Sequence, residues 1–483
     1  VGVGRRREDN VRVYWQSRGK SVVFVCIKSK MPRLSASILY LYALSLLFTP
    51  KQAYALSNVV RTSPPKTAPK TAPRTNYEFV NDKTSEMHPA RYLVNRADFS
   101  PYMDNVNNVV QTGQLFRYAN KNPADNECAV LEKEFQNIFG FDHALSLNSC
   151  SSAILLGLLS MGLKPGDKVL MPAFTFVAVP SAVYWSQGEV VLCEIDENYA
   201  LDLDDLEKKI EESGSRFLLM SYMRGHVPDM DRLKQIIAKY DLQVLEDCAH
   251  ALGVEWKGEQ LGKIGRCAAF SFQSNKIVDA GEGGILATND PEIMIKSTLM
   301  AGCYEANILK HYDLEAHREM VDKYLGTIAH FNFRMSNLQA AMIKPQLKEV
   351  EERTVTHNEN YKVIETYLDQ DEMKLCGFEE HTRPSLDSLQ IQLNSLTEPQ
   401  LRTFLTLCKE QDIPMGGFLD NNARAFWNWK FMGKGSFETE NCPKTHEIVR
   451  KAVDLRLPHH MNKDQNVDMC MRINDIYKKA KNS

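Results

Sequence analysis

Apolar runs and amphipathic stretches alternate along the middle of the chain. Short runs rich in β-branched and aromatic residues predict buried strands, namely ALSL, EVVLCEI, RFLLMS, QVLE and CAAFSF. Between several of them lie stretches with apolar residues at helical spacing, such as LDLDDLEKKIEE and DMDRLKQIIAKY. Strands separated by helices of about 10–15 residues are typical of a parallel sheet with helical crossovers. The pattern therefore predicts an α/β fold with a mostly parallel sheet.

The pattern changes on both sides of this central stretch. Before it, ECAVLEKEFQNIFG has a helical apolar face and ends at Gly140, a common helix stop. In the later helix that Ser336 caps, Pro345 is expected to produce a kink. Beyond about Glu352, SLQIQLN predicts an antiparallel strand, and TEPQLRTFLTLCKEQDI and NVDMCMRINDIYKKAKN predict helices. We expect a large domain at residues 86–350 and a smaller C-terminal α+β domain at residues 351–483.

The first 85 residues do not show the pattern of a folded domain. Residues 1–30 are basic and are interpreted as an upstream extension. Residues 31–55 combine a basic start, an apolar core and small residues at Ala53 and Ala55, which are the three parts of a secretory signal peptide. The apolar core is shorter than the about 20 residues that span a bilayer, so no membrane span is expected in the mature chain. Residues 56–85 contain the repeat PKTAPKTAPRT, which predicts a disordered linker or a transit segment.

Three locations are compatible with this N-terminus. A signal peptide alone predicts entry into the secretory pathway. A signal peptide followed by a transit segment resembles the bipartite plastid addresses of algae with secondary plastids. A cytoplasmic location follows if the N-terminus is wrongly assigned. The three alternatives stay open at this point.

Composition narrows the class of protein. The chain has 483 residues, of which 43% are hydrophobic and 25% are charged, as in ordinary soluble globular proteins. Its formal net charge of -3 gives no reason to expect nucleic acid or an anionic membrane as a partner. Eleven cysteines are scattered singly without a C-x-x-C pair, so neither a zinc site nor a disulfide framework is indicated.

The polar residues that carry chemistry stand at the ends of two predicted strands. Asp247 and His250 follow QVLE, while Ser271, Lys276 and a glycine-rich run at 281–284 follow CAAFSF. The carboxyl ends of strands in an α/β sheet are where such sheets bind ligands. A lysine amine that bonds to an aldehyde and a carboxylate that pairs with a protonated pyridine nitrogen suit pyridoxal phosphate. Taken singly, each residue has an ordinary reading as a surface charge, a helix N-cap, a core histidine or a tight turn.

A second strand end offers an anion site. The strand ALSL turns through Ser149, Cys150 and Ser151 into a helix that is apolar nearly all round. A helix N-terminus presents free backbone N–H groups and the positive end of its dipole to an anion such as phosphate. The alternative is that Ser149 is an ordinary N-cap serine.

Two segments resemble a known family. EDCAHALG followed by FSFQSNKIVDAGEGG is similar to the central motif of the DegT/DnrJ/EryC1/StrS family of pyridoxal-phosphate sugar aminotransferases. The resemblance implies a fold-type-I transferase in which Lys276 bonds covalently to pyridoxal 5'-phosphate. It further implies that Asp247 pairs with the ring nitrogen and His250 with the ring 3-hydroxyl. Ser271 and the turn at 149–151 are expected to hold the phosphate.

Other segments extend the resemblance to residues 92–480. PGDKVLMPAFTFVAV implies that Phe176 stacks on the pyridine ring, with core packing of the aromatic residues as the alternative. HFNFRMSNLQAA implies a homodimer in which Asn332 reaches the cofactor phosphate of the neighbouring subunit. Tyr222 stands where the family usually has histidine, so Arg224 and His226 are expected on the substrate side instead. MGGFLDNNARAFWNWKFM and LRLPHHM resemble late loop segments of the family, although the tryptophan-rich one also suits a protein-packing surface.

The predicted function is amino-group transfer. Relatives that dehydrate sugars carry histidine at the lysine position, so Lys276 favours transamination. The resemblance implies glutamate as the amino donor and a nucleotide-linked keto sugar as the acceptor, in glycan or amino-sugar biosynthesis. Two alternatives remain, namely a non-catalytic or regulatory pyridoxal-phosphate-binding homologue and a different pyridoxal-phosphate reaction on the same scaffold.

Overall fold

The computed structural model forms two compact units, residues 1–85 and residues 86–483. The residues described are 14–17, 20–23, 98–311, 314–420, 422–433 and 437–483. In the first unit, strands β1 (Tyr14–Ser17) and β2 (Lys20–Val23) pair in antiparallel fashion. The predicted signal peptide at 31–55 and linker at 56–85 lie outside the described residues.

Among the described residues, the second unit contains the remaining strands and the helices. The strands are β3 (His143–Leu147), β4 (Lys168–Pro172), β5 (Glu189–Cys193), β6 (Phe217–Ser221), β7 (Gln243–Asp247), β8 (Glu255–Trp256), β9 (Glu259–Gln260), β10 (Cys267–Ser271), β11 (Gly284–Thr288), β12 (Lys374–Leu375), β13 (Thr382–Arg383), β14 (Ser388–Gln392), β15 (Gly416–Gly417) and β16 (Ala452–Arg456). The α-helices are Met103–Thr112, Glu127–Phe139, Cys150–Ser160, Ala178–Trp185, Leu203–Ser213, Met230–Tyr240, Pro291–Met300, Arg318–Tyr324, Asn337–Gln346, Val350–Tyr367, Glu398–Glu410, Pro443–Val449 and Lys463–Lys481.

A seven-stranded sheet organises the second unit. Its strand order is β3-β11-β10-β7-β6-β4-β5. The neighbours from β10 to β5 pair in parallel, and β11 pairs antiparallel with both β10 and β3. The predicted α/β fold with a mostly parallel sheet is confirmed. The register places Asp247 beside Ser221 on one side and Ala269 on the other.

The apolar strands are buried on both faces. Along β6, Leu218 and Met220 belong to one hydrophobic core, whereas Leu219 between them belongs to the other. Helices on both faces of a parallel sheet require such continuous apolar strands, which explains the unbroken run RFLLMS. The helix Glu127–Phe139 ends as expected at Gly140, whose φ of 70° is left-handed and favours glycine.

A second sheet lies in the C-terminal part of the unit. Its order is β12-β14-β16-β15, and all its pairs are antiparallel. The helices Glu398–Glu410 and Lys463–Lys481 share a hydrophobic core with this sheet, and capping boxes begin both helices. The predicted strand in SLQIQLN and both predicted helices are present. The boundary at residue 350 stays a prediction, because residues 86–483 form one compact unit.

Two local features differ from expectation. Pro345 does not kink a continuing helix, since the helix Asn337–Gln346 ends one residue later and a 3₁₀ turn separates it from Val350–Tyr367. Trp429 is 1% exposed and belongs to the core, so it cannot form a protein-packing surface. Among the helices of the described residues, none is both long and apolar enough to cross a membrane.

Candidate active site

A cavity of about 520 Å³ opens where several strands of the central sheet end. Among the residues that line it are eight of the nine site residues expected from the sequence: Ser149, Cys150, Ser151, Phe176, Asp247, His250, Ser271 and Lys276. The structure thus brings together residues that are up to 127 positions apart in the chain. Their individual roles toward a cofactor stay predictions.

Asp247 is the last residue of β7 and faces the cavity. Its carboxylate accepts hydrogen bonds from the Ser221 hydroxyl at 2.7 Å and the Ala249 amide at 3.1 Å, and the Cys150 thiol lies at 3.8 Å. Burial raises the pKa of Asp247 above its usual value, because a carboxylate loses hydration there. A cationic N–H in the cavity would stabilise the ionised form.

Lys276 lies in the loop that connects β10 to β11 and contributes its side chain to the cavity. Burial lowers the pKa of the Lys276 amine well below its ordinary value, and the positive charges of Arg456 and Arg224 lower it further. A neutral amine is both a nucleophile and a base, whereas a solvated lysine is protonated at neutral pH. The surface-charge reading of this residue is therefore wrong.

Ser149 and its neighbours begin the helix Cys150–Ser160. The Ser149 hydroxyl accepts a hydrogen bond from the Ser152 amide at 3.1 Å, so Ser149 is indeed the N-cap and also lines the cavity. The start of β11 packs directly on this turn, since a Cβ at Gly284 would lie 2.4 Å from the Cys150 nitrogen. Only glycine permits this approach, which accounts for the last glycine of the run at 281–284. Ser271 is buried and lines the cavity beyond the turn.

The two phenylalanines of FTF are in different environments. Phe174 is 1% exposed and packs in the core, edge-on against Phe418 and tilted against Tyr199. Phe176 is 45% exposed and lines the cavity. An aromatic face exposed to a cavity is suited to stacking on a planar ring.

His250 is held by main-chain and side-chain contacts. Its Nδ1 accepts the Arg224 amide at 2.9 Å, and its Nε2 lies 3.3 Å from a terminal nitrogen of Arg456. Burial and then neighbouring positive charges, including those of Arg456 and Arg224, lower the pKa of His250 well below its ordinary value. The lowered pKa favours the neutral ring, and because Nδ1 accepts a hydrogen bond, the single proton of the neutral ring lies on Nε2.

The segment after β6 places its polar side chains in three different environments, as Tyr222, Arg224 and His226 show. The Tyr222 hydroxyl donates to Glu246 at 2.6 Å, and burial raises its pKa well above the usual value. Arg224 lines the cavity, as expected. His226 does not lie among the lining residues, because it stacks on Phe378 at 4.4 Å in the interior. Its expected place on the substrate side is wrong.

Strand β16 supplies residues that sequence reasoning missed. Its Arg456 lines the cavity and pairs with Asp387 at 2.6 Å, and its Asp454 pairs with Arg224. A further lining residue, Arg424, belongs to the tryptophan-rich segment. LRLPHHM resembles a loop of the family, and the alternation of charged and apolar residues in AVDLR is the signal that could have identified the strand.

Thr175 and Ser221 also line the cavity. Their hydroxyl groups are hydrogen-bonded to each other at 2.7 Å, and the Ser221 hydroxyl donates to the Asp247 carboxylate. Ser221 ends β6 and Thr175 follows β4, so the strand-end rule that identified Asp247 also applies to them. Asn332, in contrast, is exposed and does not line the cavity of its own chain.

The lining residues fit pyridoxal phosphate. The Lys276 amine, whose pKa is lowered, can bond to the aldehyde, and the buried Asp247 carboxylate can accept the ring N–H. The helix N-terminus at 149–151 and its hydroxyl groups can bind the phosphate, and the exposed face of Phe176 can stack on the ring. No group of histidine, cysteine or acidic residues in the described ranges is arranged to hold a metal ion.

Comparisons with known proteins give a consistent result. The model of the DegT/DnrJ/EryC1/StrS aminotransferase family matches residues 102–474. The GDP-perosamine synthase of Caulobacter vibrioides is 34% identical over 222 residues, which are 46% of this chain and 56% of the synthase. The alignment thus spans little more than half of that relative. The 3-amino-5-hydroxybenzoate synthase of Amycolatopsis mediterranei is 30% identical over half of this chain and 60% of the relative.

Solved structures share the fold. A putative sugar aminotransferase from Streptococcus pneumoniae in its PMP form has a TM-score of 0.69 at 18% identity, over 78% of this chain and 95% of that structure. The same protein is also similar in its PLP form, with a TM-score of 0.68.

Proposed function

The chain belongs to the DegT/DnrJ/EryC1/StrS aminotransferase family, and from this premise we propose that it binds pyridoxal 5'-phosphate and transfers an amino group to a keto sugar. One observation carries the proposal: the Lys276 amine and the Asp247 carboxylate line the same cavity at the strand ends of the central sheet. Lysine supplies the attachment point and the carboxylate the partner for the ring nitrogen.

The residues around the cavity have separate tasks in this function. Asp247 accepts the ring N–H with a carboxylate that Ser221 orients by a hydrogen bond of 2.7 Å. His250 is neutral and presents its Nε2 proton to the ring oxygen. The turn at 149–151 and Ser271 bind the phosphate, and Phe176 covers one ring face. Pyridoxal phosphate, when bound, supplies an aldehyde that accepts amino groups and a ring that stabilises negative charge on the adjoining carbon.

Lys276 also moves the proton. Amino transfer requires a base that removes a proton from the donor carbon and returns one to the acceptor carbon. The Lys276 Nζ is suited to this task because burial and the nearby arginines favour its neutral form. The side chain lines the cavity and is only partly buried, which gives it access to a substrate there.

The acceptor is proposed to be a keto sugar carried on a nucleotide, with glutamate as the donor. Support comes from the relatives, one of which is a GDP-perosamine synthase. A panel of nucleotide-linked keto sugars, incubated with glutamate and the cofactor-loaded protein, tests this proposal. We expect mass spectrometry to detect an amino sugar and 2-oxoglutarate in equal amounts. Cleavage of an amino acid without an aminated sugar would instead indicate another pyridoxal-phosphate reaction, and no product at all would favour a non-catalytic homologue.

The active unit is proposed to be a homodimer with Asn332 directed toward the neighbouring site. The exposure of Asn332 and of Phe331 beside it supports this arrangement, because neither is needed in the core of its own chain. Mixing Lys276→Ala and Asn332→Ala chains tests it. Mixed dimers contain one site with both substitutions and one intact site, so we expect activity to reappear on mixing if Asn332 acts across subunits.

The location is proposed to be the secretory pathway, with a plastid reached by a bipartite address or the cytoplasm as alternatives. The signal-like segment at 31–55 supports the first, and the basic, proline-rich stretch at 56–75 supports the second. N-terminal sequencing of the mature protein distinguishes them, since cleavage after Ala55 is expected for a signal peptide and a second cleavage further on for a transit segment.

A further inference from the structure

Three arginines line the cavity together with Lys276: Arg224, Arg424 and Arg456. They lie close enough to affect one another, since burial and then the charges of Arg456 and Arg424 lower the pKa of Arg224 well below its ordinary value. Like charges that share a poorly hydrated site repel strongly, so such a cluster is stable only when anions balance it.

Two of the three arginines have a carboxylate partner among the described residues, and Arg424 does not. Asp387 pairs with Arg456 at 2.6 Å, and Asp454 pairs with Arg224. Arg424 has no carboxylate within salt-bridge distance in the part of the chain that the structure describes, and its Nε is buried without a hydrogen-bond partner there. Nε and one terminal nitrogen of Arg224 are likewise buried and unpaired among those residues. Buried N–H groups of native proteins nearly always have a partner.

The loop that carries Arg424 is held in place. The Arg424 amide donates to the Asn422 side chain at 2.9 Å, and the indole of the buried Trp429 donates to the Ala423 carbonyl at 3.0 Å. Ala425 forms a β-bridge with Phe174, directly before the segment that carries Phe176. The Arg424 guanidinium consequently lies 5.8 Å from the centre of the Phe176 ring. An arginine positioned so firmly without a protein carboxylate is arranged for a ligand.

We propose that Arg424, assisted by Arg224, binds an anionic group of the substrate. The planar guanidinium matches a carboxylate or a phosphate in bidentate fashion, and poor hydration in the cavity strengthens the pair. Two sources have this chemistry, the carboxylate of the amino donor and the diphosphate of a nucleotide-linked acceptor. This inference rests on the proposed function and adds the residue that selects substrates by charge.

Binding to the cofactor-loaded protein tests the inference directly. Isothermal titration calorimetry with glutarate and with a nucleoside diphosphate (UDP and GDP) measures dissociation constants for wild type, Arg424→Gln and Arg424→Lys. Glutaramide and the free nucleosides are the neutral counterparts of the probes. Arg402→Gln is the matched control, since Arg402 lies outside the cavity and pairs with Glu398 and Asp420.

We expect Arg424→Gln to weaken binding of at least one anion tenfold or more, which is the typical loss of a charged hydrogen bond. Arg424→Lys should lose less, and Arg402→Gln and the neutral probes should show no difference from wild type. Weaker glutarate binding alone assigns the donor carboxylate, and weaker diphosphate binding alone assigns the nucleotide. Unchanged binding of both anions overturns the inference, as does wild-type protein that binds each anion no better than its neutral counterpart.

Two further readouts separate this inference from the proposed function. Arg424→Gln should retain pyridoxal phosphate in the same amount as wild type after dialysis. If the variant loses the cofactor, Arg424 serves the cofactor phosphate, and the inference is overturned. If wild-type protein does not bind pyridoxal phosphate, the proposed function fails, whatever the anion titrations give.

Discussion

Arg117 and the arginines of the cavity lie in different electrostatic environments of the same molecule. Arg117 is 3% exposed, and its terminal nitrogens donate to Glu132 at 2.7 Å and to the Ser146 hydroxyl at 2.7 Å. His311 completes this network, with its Nδ1 at 3.2 Å from Arg117. Although burial alone would lower it, the Glu132 carboxylate raises the pKa of Arg117 above its ordinary value. In the cavity, burial and neighbouring cations lower the pKa of Arg224 instead.

The presence or absence of a carboxylate partner distinguishes an arginine that stabilises the fold from one that is available to bind a ligand. Around Arg117 each charge has a partner within the fold, so the network connects the helix Glu127–Phe139 to β3 and needs nothing else. Arg424, in contrast, has no carboxylate partner among the described residues and its Nε is buried without a hydrogen bond there, which is costly for the protein alone and favourable once an anionic ligand enters. Substitutions in the Arg117 network should therefore cost stability, and substitutions in the cavity should cost function.

The largest effect is expected from removing the cavity amine. Lys276→Ala should lower kcat by on the order of 10³-fold or more, because both the covalent attachment and the proton transfer are lost. Its unfolding transition in urea should stay cooperative and close to that of wild type, since the side chain is not part of the core. Substantial turnover by this variant, with purity checked by mass spectrometry, would contradict the assignment of Lys276.

The opposite result is expected at Arg117. Arg117→Leu should lower the free energy of unfolding by about 3–5 kcal/mol, because Glu132 would stay buried without its cation. Urea denaturation of the cofactor-free protein measures the loss. Arg424→Leu leaves no carboxylate without its partner, so it should change the free energy of unfolding by less than about 1 kcal/mol. Equal losses in both variants would remove the distinction between the two groups.

A smaller effect concerns acid stability and His226, which is 2% exposed and stacks on Phe378. Burial lowers the pKa of His226 to about 4, so the unfolded chain takes up a proton first as the pH falls below about 6.5. The stability that His226 contributes is fully present above that pH and is lost as the pH falls toward 4. Between pH 7.5 and pH 5, wild type should lose about 2 kcal/mol more than His226→Phe in urea unfolding. The same pH dependence in wild type and His226→Phe would contradict this expectation.

The smallest effect is a gain. Lys276→Met should raise the free energy of unfolding of the cofactor-free protein at pH 7 by about 1 kcal/mol, because an amine that is poorly tolerated in the cavity is replaced by an apolar group. The unfolded chain binds the lysine proton more readily than the folded one, so the gain should shrink as the pH rises toward 10. A variant that is less stable than wild type at pH 7 would show that Lys276 is structural.

The sequence was sufficient for the centre of the cavity. Asp247 and Lys276 follow buried strands whose apolar runs are unambiguous, and parallel strands bring their carboxyl ends to one edge. The central alternation of strands and helices could be predicted for the same reason. The sequence pattern does not distinguish the two phenylalanines of FTF, and Phe176 is assigned to the cofactor from the family resemblance. The structure places Phe174 in the core and Phe176 at the cavity.

The lining residues that come from outside the central sheet, Arg424 and Arg456, could not be predicted. Arg456 lines the cavity although its strand, β16, belongs to the second sheet. No local sequence pattern predicts how two sheets are positioned relative to each other. Arg424 depends on the pairing of Ala425 with Phe174, which are far apart in the chain. His226 and Tyr222 illustrate the same limit, since their partners Phe378 and Glu246 are set by tertiary packing rather than by spacing.

The central claim is that Lys276 holds pyridoxal phosphate in this cavity, and borohydride reduction tests it most directly. The full-length protein is incubated with pyridoxal phosphate, reduced, digested and sequenced by mass spectrometry. The account predicts one modified peptide, with the pyridoxyl group on Lys276, and none in Lys276→Ala. A pyridoxyl group on other lysines at equal levels, or an unmodified Lys276 in wild type, would contradict it.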